Sequence, residues 1–129
     1  MNTEQKKVLL IEDEETIAKL IRRYLERTDL AIFQAADGKA GLDLALKEKP
    51  DLILLDLSLP VMSGVDFLAE LRKDQWGKDA IVVALTNSAS QETLDTVKTF
   101  GVKEYIVKSN WAMDEALNRA LIFIDKKLT

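Results

Sequence analysis

Asp56 closes the apolar run Leu52-Ile53-Leu54-Leu55 and is followed by Pro60 and Gly64, four and eight residues further on. An ionised carboxylate at the end of a strand covered on both faces is costly unless a cation or hydrogen bonds meet it. Something is expected to bind there. Other chemistry-bearing residues stand in comparable places: Glu12 and Asp13 follow the run Val8 to Ile11, Thr86 follows Ile81 to Leu85, and Lys108 follows Glu104 to Val107. The chain has no histidine and no cysteine. That excludes Ser-His-Asp and Cys-His nucleophiles, thiolate and imidazole metal sites, disulfides, and a phosphohistidine formed on this chain. Chemistry is left to carboxylates, hydroxyls, lysine and backbone groups, and oxygen ligands favour a hard cation such as magnesium over zinc or copper.

The elements that must position these residues are legible as a pattern. Short aliphatic runs alternate five times with helical periodicity, which predicts a repeated β-α unit and a parallel sheet. Val8 to Ile11, Leu52 to Leu55 and Ile81 to Leu85 are nearly unbroken and suit central strands. Ala31 to Ala36, interrupted by Gln34, and Glu104 to Val107 suit the edges. Helical stripes follow: Ile17, Leu20, Ile21, Tyr24 and Leu25; Leu42, Ala45 and Leu46; Val65, Leu68 and Leu71; a weaker one at Leu94 and Val97; and Met113, Ala116, Leu117, Ala120, Leu121 and Ile124. Asp37 and Asn110 are expected N-caps, and Gly101 is expected at a helix C-terminus.

Right-handed crossovers and two edge strands give strand order 2-1-3-4-5, a doubly wound, flavodoxin-like (βα)5 fold with helices on both faces. Its switch point falls between strands one and three, where ligands of open α/β sheets bind at the carboxyl ends. Glu12, Asp13, Asp56, Thr86 and Lys108 all fall on that edge. Each has a plainer reading alone: carboxylates follow strands because loops are solvated, Lys108 suits a surface lysine, and Thr86 a strand-terminal β-branched residue. Their coincidence argues for a site. Three crowded carboxylates repel one another unless a divalent cation neutralises them, and magnesium fits.

The 129 residues, 47% apolar and 31% charged, fit one domain spanning 1–129. A net charge of −4 argues against direct nucleic-acid binding, which needs a positive surface. No apolar run approaches a membrane span and no signal segment opens the chain, so a cytoplasmic location is expected. The pairs Lys6-Lys7 and Lys126-Lys127 are expected to be solvated ends.

Glu12-Asp13, Asp56-Leu57-Ser58-Leu59-Pro60-Val61-Met62-Ser63-Gly64, Ala84-Leu85-Thr86 and Tyr105-Ile106-Val107-Lys108, in this order and spacing, resemble the receiver domain of two-component response regulators. The resemblance spans the chain. It implies that Asp56 is the phosphoacceptor, taking a phosphoryl group from a sensor histidine kinase, a phosphotransfer protein or a small donor such as acetyl phosphate. It further implies that Asp13, Asp56 and the backbone carbonyl of Ser58 hold magnesium, with Glu12 acting through a coordinated water. Lys108 would pair with the phosphoryl group, the Thr86 hydroxyl would move to bond it, and Tyr105 would turn inward as a switch. Such a domain is not an enzyme in the ordinary sense, though slow self-phosphorylation and dephosphorylation accompany it. Phosphoryl transfer depends on positioning and charge neutralisation, and a carboxylate nucleophile requires no general base.

The sequence departs from that pattern in places. Ser109 stands where most receivers have proline after the lysine, commonly joined through a cis bond; without proline a cis bond costs about 2.5–4 kcal/mol, so a trans peptide is expected. Asn87 replaces a common alanine after the threonine. Ser58 and Ser88 border the path that hydrolytic water takes in the family, and are expected to tune phosphate lifetime. Trp76 and Trp111 are expected to be packing anchors, and Met62 loop packing.

Strand five and its flanking helices, near Val97, Lys98, Tyr105, Val107 and Arg119, would form the output surface for an unknown protein partner, with the chain monomeric or dimerising on phosphorylation. A stand-alone module and a piece of a longer transcriptional regulator look alike in sequence. Lys103-Glu104 replaces the acidic pair of one large transcription-factor subfamily, which argues against that subfamily's dimer. A receiver acting without phosphorylation is a further alternative. Two other classes fit poorly: an aspartyl-nucleophile phosphatase wants an acid where Ser58 stands, and a flavin carrier wants a phosphate cradle where Glu12 to Glu15 would repel one.

Overall fold

The computed structural model describes residues 5–87, 90–108 and 113–124. Five strands, β1 (Lys6–Ile11), β2 (Leu30–Ala35), β3 (Leu52–Asp56), β4 (Val82–Thr86) and β5 (Glu104–Val107), alternate with helices α1 (Glu15–Leu25), α2 (Gly38–Glu48), α3 (Gly64–Lys73), α4 (Gln91–Thr99) and α5 (Met113–Ile122). The strands form one sheet in the order β2-β1-β3-β4-β5, all neighbours parallel. This is the expected flavodoxin-like order. Strands β2 and β4 are displaced by one residue from the expected runs, and Thr86 ends β4, as expected of a strand-terminal residue.

Alternation along each central strand explains the unbroken aliphatic runs. Val8, Leu10, Leu52, Leu54, Val83 and Leu85 face α1 and α5, whereas Leu9, Ile11, Ile53, Leu55, Val82 and Ala84 face α2, α3 and α4. Both faces are covered, so neither set can be polar. Each fully buried Leu or Ile contributes roughly 1.5–3 kcal/mol relative to exposure.

Two predicted core positions are on the surface. Leu20 is 51% exposed because the buried stripe of α1 is centred on Ala18, Ile21 and Leu25, and Leu46 lies at the rim of α2 at 36%. Lys6 and Lys7 are not a solvated end: both lie in β1, and Lys7 Nζ meets Glu48 Oε1 at 3.3 Å. Asp37 caps α2 as expected, accepting from the Ala40 amide at 2.8 Å, and Gly101 takes φ +73° just beyond α4. Trp76 and Met62 pack against the α2–α4 face, as expected. Ser88, Ser109, Asn110, Trp111 and Lys126-Lys127 lie outside the described residues, and the Lys108-Ser109 peptide with them.

Candidate functional site at the carboxyl edge of the sheet

The switch point between β1 and β3 opens at the carboxyl edge, where Ile11 stands beside both Ala35 and Leu55. Glu12 leaves β1 with its amide donated to the Ala35 carbonyl at 3.0 Å, which turns its side chain into the cleft. Four buried polar or charged residues stand among the described ones: Glu12, Asp56, Thr86 and Lys108. All were expected on this edge, and all are there. Asp13 is exposed, yet one carboxylate oxygen from each of Glu12, Asp13 and Asp56 can be chosen so that all three lie within 4.8 Å of one another.

Lys108 sits at the centre. Its Nζ donates to Glu12 Oε1 and Oε2 at 3.0 and 3.1 Å and to Glu14 Oε1 at 2.8 Å, and lies 3.3 Å from Asp56 Oδ2. The Lys108 amide donates to the Thr86 carbonyl at 2.7 Å, which ties the start of its loop to the end of β4. Burial alone would lower the Lys108 pKa; hydrogen bonds to Glu14 and Glu12 and the charge of Asp56 outweigh it and hold the ammonium protonated, above its ordinary range. Burial pushes the Glu12 carboxyl from 4.5 up to about 7, with Asp56 adding to the rise and the Glu14 amide and Lys108 opposing it.

Asp56 is held on one side only. Its Oδ1 accepts from the Ser58 amide at 2.9 Å, while Oδ2 is buried with no hydrogen-bond partner. A buried orphan carboxylate oxygen is costly, about 1–3 kcal/mol or more, and marks where a ligand fits. With three carboxylates converging on hard-oxygen geometry, the residues fit a magnesium ion. Gly64 has a local reason: a Cβ there would stand 2.6 Å from Leu57 Cα and 2.9 Å from the Asp56 carbonyl oxygen. The loop between holds Val61 at φ +70°, with the Met62 amide donating to the Pro60 carbonyl at 2.7 Å, an i to i+2 bond of the rare γ-turn kind. Tyr105 is half-buried against the α2–α4 face, beside Ala84 in register.

Glu14 was missed at the sequence level, where it looked like one more acid ahead of α1. Only the reach of Lys108 across the cleft reveals it.

A family model described as the response regulator receiver domain matches residues 8–120. The chain belongs to the response regulator receiver domain family. Among curated relatives of this receiver domain, Response regulator ArlR of Staphylococcus saprophyticus is 36% identical over 104 residues, covering 79% of this chain and 45% of that protein. The KDP operon transcriptional regulatory protein KdpE of Escherichia coli is 35% identical over 101 residues, 78% of this chain and 44% of that one. The receiver domain thus spans less than half the length of these relatives. Among solved structures, chemotaxis response regulator CheY4 of Vibrio cholerae superposes with TM-score 0.82 at 28% identity, over 92% of this chain and 100% of that one. The receiver domain of sensor histidine kinase PA1611 from Pseudomonas aeruginosa, which has a magnesium ion coordinated in its active site cleft, gives TM-score 0.83 at 25% identity, over 95% and 100%. No helix among the described residues is long and apolar enough to cross a membrane.

Proposed function

We propose that this receiver accepts a phosphoryl group on Asp56 from a phosphohistidine of a sensor kinase or phosphotransfer protein. The observation that carries the proposal is the buried Asp56 Oδ2, without a hydrogen bond, 3.3 Å from the Lys108 ammonium and beside Glu12 and Asp13. A carboxylate oxygen of Asp56 attacks phosphorus, an O–P bond forms, and the donor's P–N bond breaks, with the leaving imidazole keeping its electron pair and taking a proton. With acetyl phosphate a P–O bond breaks and acetate leaves as an anion. No base is needed on this chain.

Asp13, Asp56 and the Ser58 carbonyl would hold magnesium, and Glu12 would act through a water. When bound, the ion neutralises charge on the phosphoryl oxygens. Lys108 supplies the second positive charge, and the Ser58 amide fixes the rotamer of Asp56. The Thr86 hydroxyl and Tyr105 then form the switch that carries the change to β5 and its flanking helices. A named magnesium-bound neighbour, PA1611, and the phosphorylated cyanobacterial phytochrome response regulator RcpA, alike at TM-score 0.83 and 26% identity over 98% of this chain, support the reading.

Incubation with magnesium and acetyl phosphate followed by intact-mass measurement tests it. One added phosphoryl mass is expected on the wild type and none on Asp56→Ala; an unchanged wild-type mass would sink the proposal. A second reading, a receiver within a longer transcriptional regulator, is favoured by curated relatives such as KdpE, of which this chain matches 44%. Both readings use the same site.

A further inference from the structure

Glu14 belongs neither to the proposed metal set nor to the proposed phosphoryl contacts, yet it makes the shortest contact to Lys108, 2.8 Å against 3.0 and 3.1 Å for Glu12 and 3.3 Å for Asp56 Oδ2. An ammonium has three N–H donors. Its hydrogen bonds go to both Glu12 oxygens and to Glu14, and Asp56 Oδ2 receives none. A phosphoryl group arriving on Asp56 competes with these two carboxylates for the ammonium. The weaker-held contact yields first.

Burial decides which. The Glu12 side chain is 0% exposed, so stripping its cation would leave a buried, unpaired charge. The Glu14 side chain is 50% exposed, and water replaces its partner at small cost. The Glu14 backbone stays in place meanwhile, because its amide donates to Glu12 Oε2 at 2.9 Å immediately before α1. Its carboxylate is therefore held within reach of Lys108 and free to swing away.

Resting on the phosphoacceptor reading, we infer that Glu14 is a positioning residue that holds Lys108 in the unmodified domain and is exchanged for the phosphoryl group when Asp56 is modified. The Lys108 hydrogen bond to Glu14 Oε1 breaks, one to a phosphoryl oxygen forms, and Glu14 turns to water; no covalent bond of either residue changes. A contact present in one state alone biases the equilibrium toward that state, so Glu14 disfavours the phosphorylated form.

Beryllofluoride, a non-reacting mimic of the phosphoryl group on an aspartate, provides a binding readout. Titrated in constant magnesium and followed by NMR, Glu14→Ala is expected to bind it roughly three- to tenfold more tightly than wild type. Glu14→Asp keeps the charge and loses reach, and is expected to gain affinity as well. On a Lys108→Ala background the Glu14→Ala gain should vanish. Wild-type affinity in Glu14→Ala, a gain lost in Glu14→Asp, or a gain that persists without Lys108 would each overturn the inference. A wild type that neither binds beryllofluoride nor gains mass from acetyl phosphate removes the phosphoacceptor reading and this inference together. Wild-type binding with unchanged Glu14 variants removes this inference alone.

Discussion

Lys108 and Asp56 stand in charge contact without a hydrogen bond: Nζ is 3.3 Å from Oδ2, and Oδ2 has no hydrogen-bond partner. The ammonium lowers the electrostatic cost of the buried carboxylate and leaves its lone pairs unused. The native fold tolerates that orphan oxygen, which makes Asp56 a costly residue for the resting domain.

Asp56→Ala is accordingly expected to stabilise the metal-free protein by about 1–2 kcal/mol, since the orphan oxygen and one of the crowded charges disappear. Thermal unfolding in EDTA checks the sign. Added magnesium should raise the wild-type midpoint and leave that of Asp56→Ala nearly unmoved, because a ligand stabilises only the form that binds it. Equal magnesium shifts in both proteins would contradict the proposed metal set.

Lys108→Met removes the cation from buried Glu12 and Asp56, at a cost of about 3–5 kcal/mol near pH 8. The cost has a pH dependence. Because the folded Glu12 pKa is raised from 4.5 to about 7, the folded form binds more protons in that window; the contribution is full below 4.5 and lost as pH rises through about 7. Lys108 itself is raised above 10.5, so its own contribution is present throughout this range and constant across it. The variant's deficit should therefore shrink near pH 5, where Glu12 is protonated. Urea unfolding at the two pH values in EDTA measures it, and equal deficits would refute the argument.

Val61→Gly is expected to stabilise the domain by about 1 kcal/mol. A β-branched residue at φ +70° is strained, and at 83% exposure its side chain contributes little burial to lose. The entropic cost of glycine offsets part of the gain. A lower urea midpoint would show that the turn is not strained.

Arg72→Met is expected to cost about 2–4 kcal/mol, because the half-buried guanidinium donates to the carbonyls of Phe100, Gly77 and Ala80 at 2.7, 2.8 and 2.7 Å. Burial lowers its pKa, against the charge of Asp79, but those donors remain. Amide exchange near Phe100 and Ala80 should quicken in the variant; unchanged exchange would assign the fastening elsewhere.

Strand order and the gathering of Glu12, Asp56, Thr86 and Lys108 were legible because period and position carry them: unbroken aliphatic runs mean two covered faces, and a polar residue at each run's end must lie on one edge. Asp37 was legible from its own short-range cap. Glu14 and Arg72 were not, since each acts on a partner far away in the chain, Lys108 and Phe100, whose proximity exists only in the fold. Leu20 misled because α1 carries more apolar residues than its buried stripe needs. Val61 gave no signal at all, as its side chain opposes the backbone conformation it adopts.

The place of Lys108 after β5, the last strand, has a consequence during synthesis. Glu12 and Asp56 leave the ribosome well before the cation that pairs with them, and β5 can bring it only by pairing with β4. A nascent chain carrying β1 to β4 holds an acidic cleft that lacks its counter-charge. Completion of the sheet and completion of the site are one event.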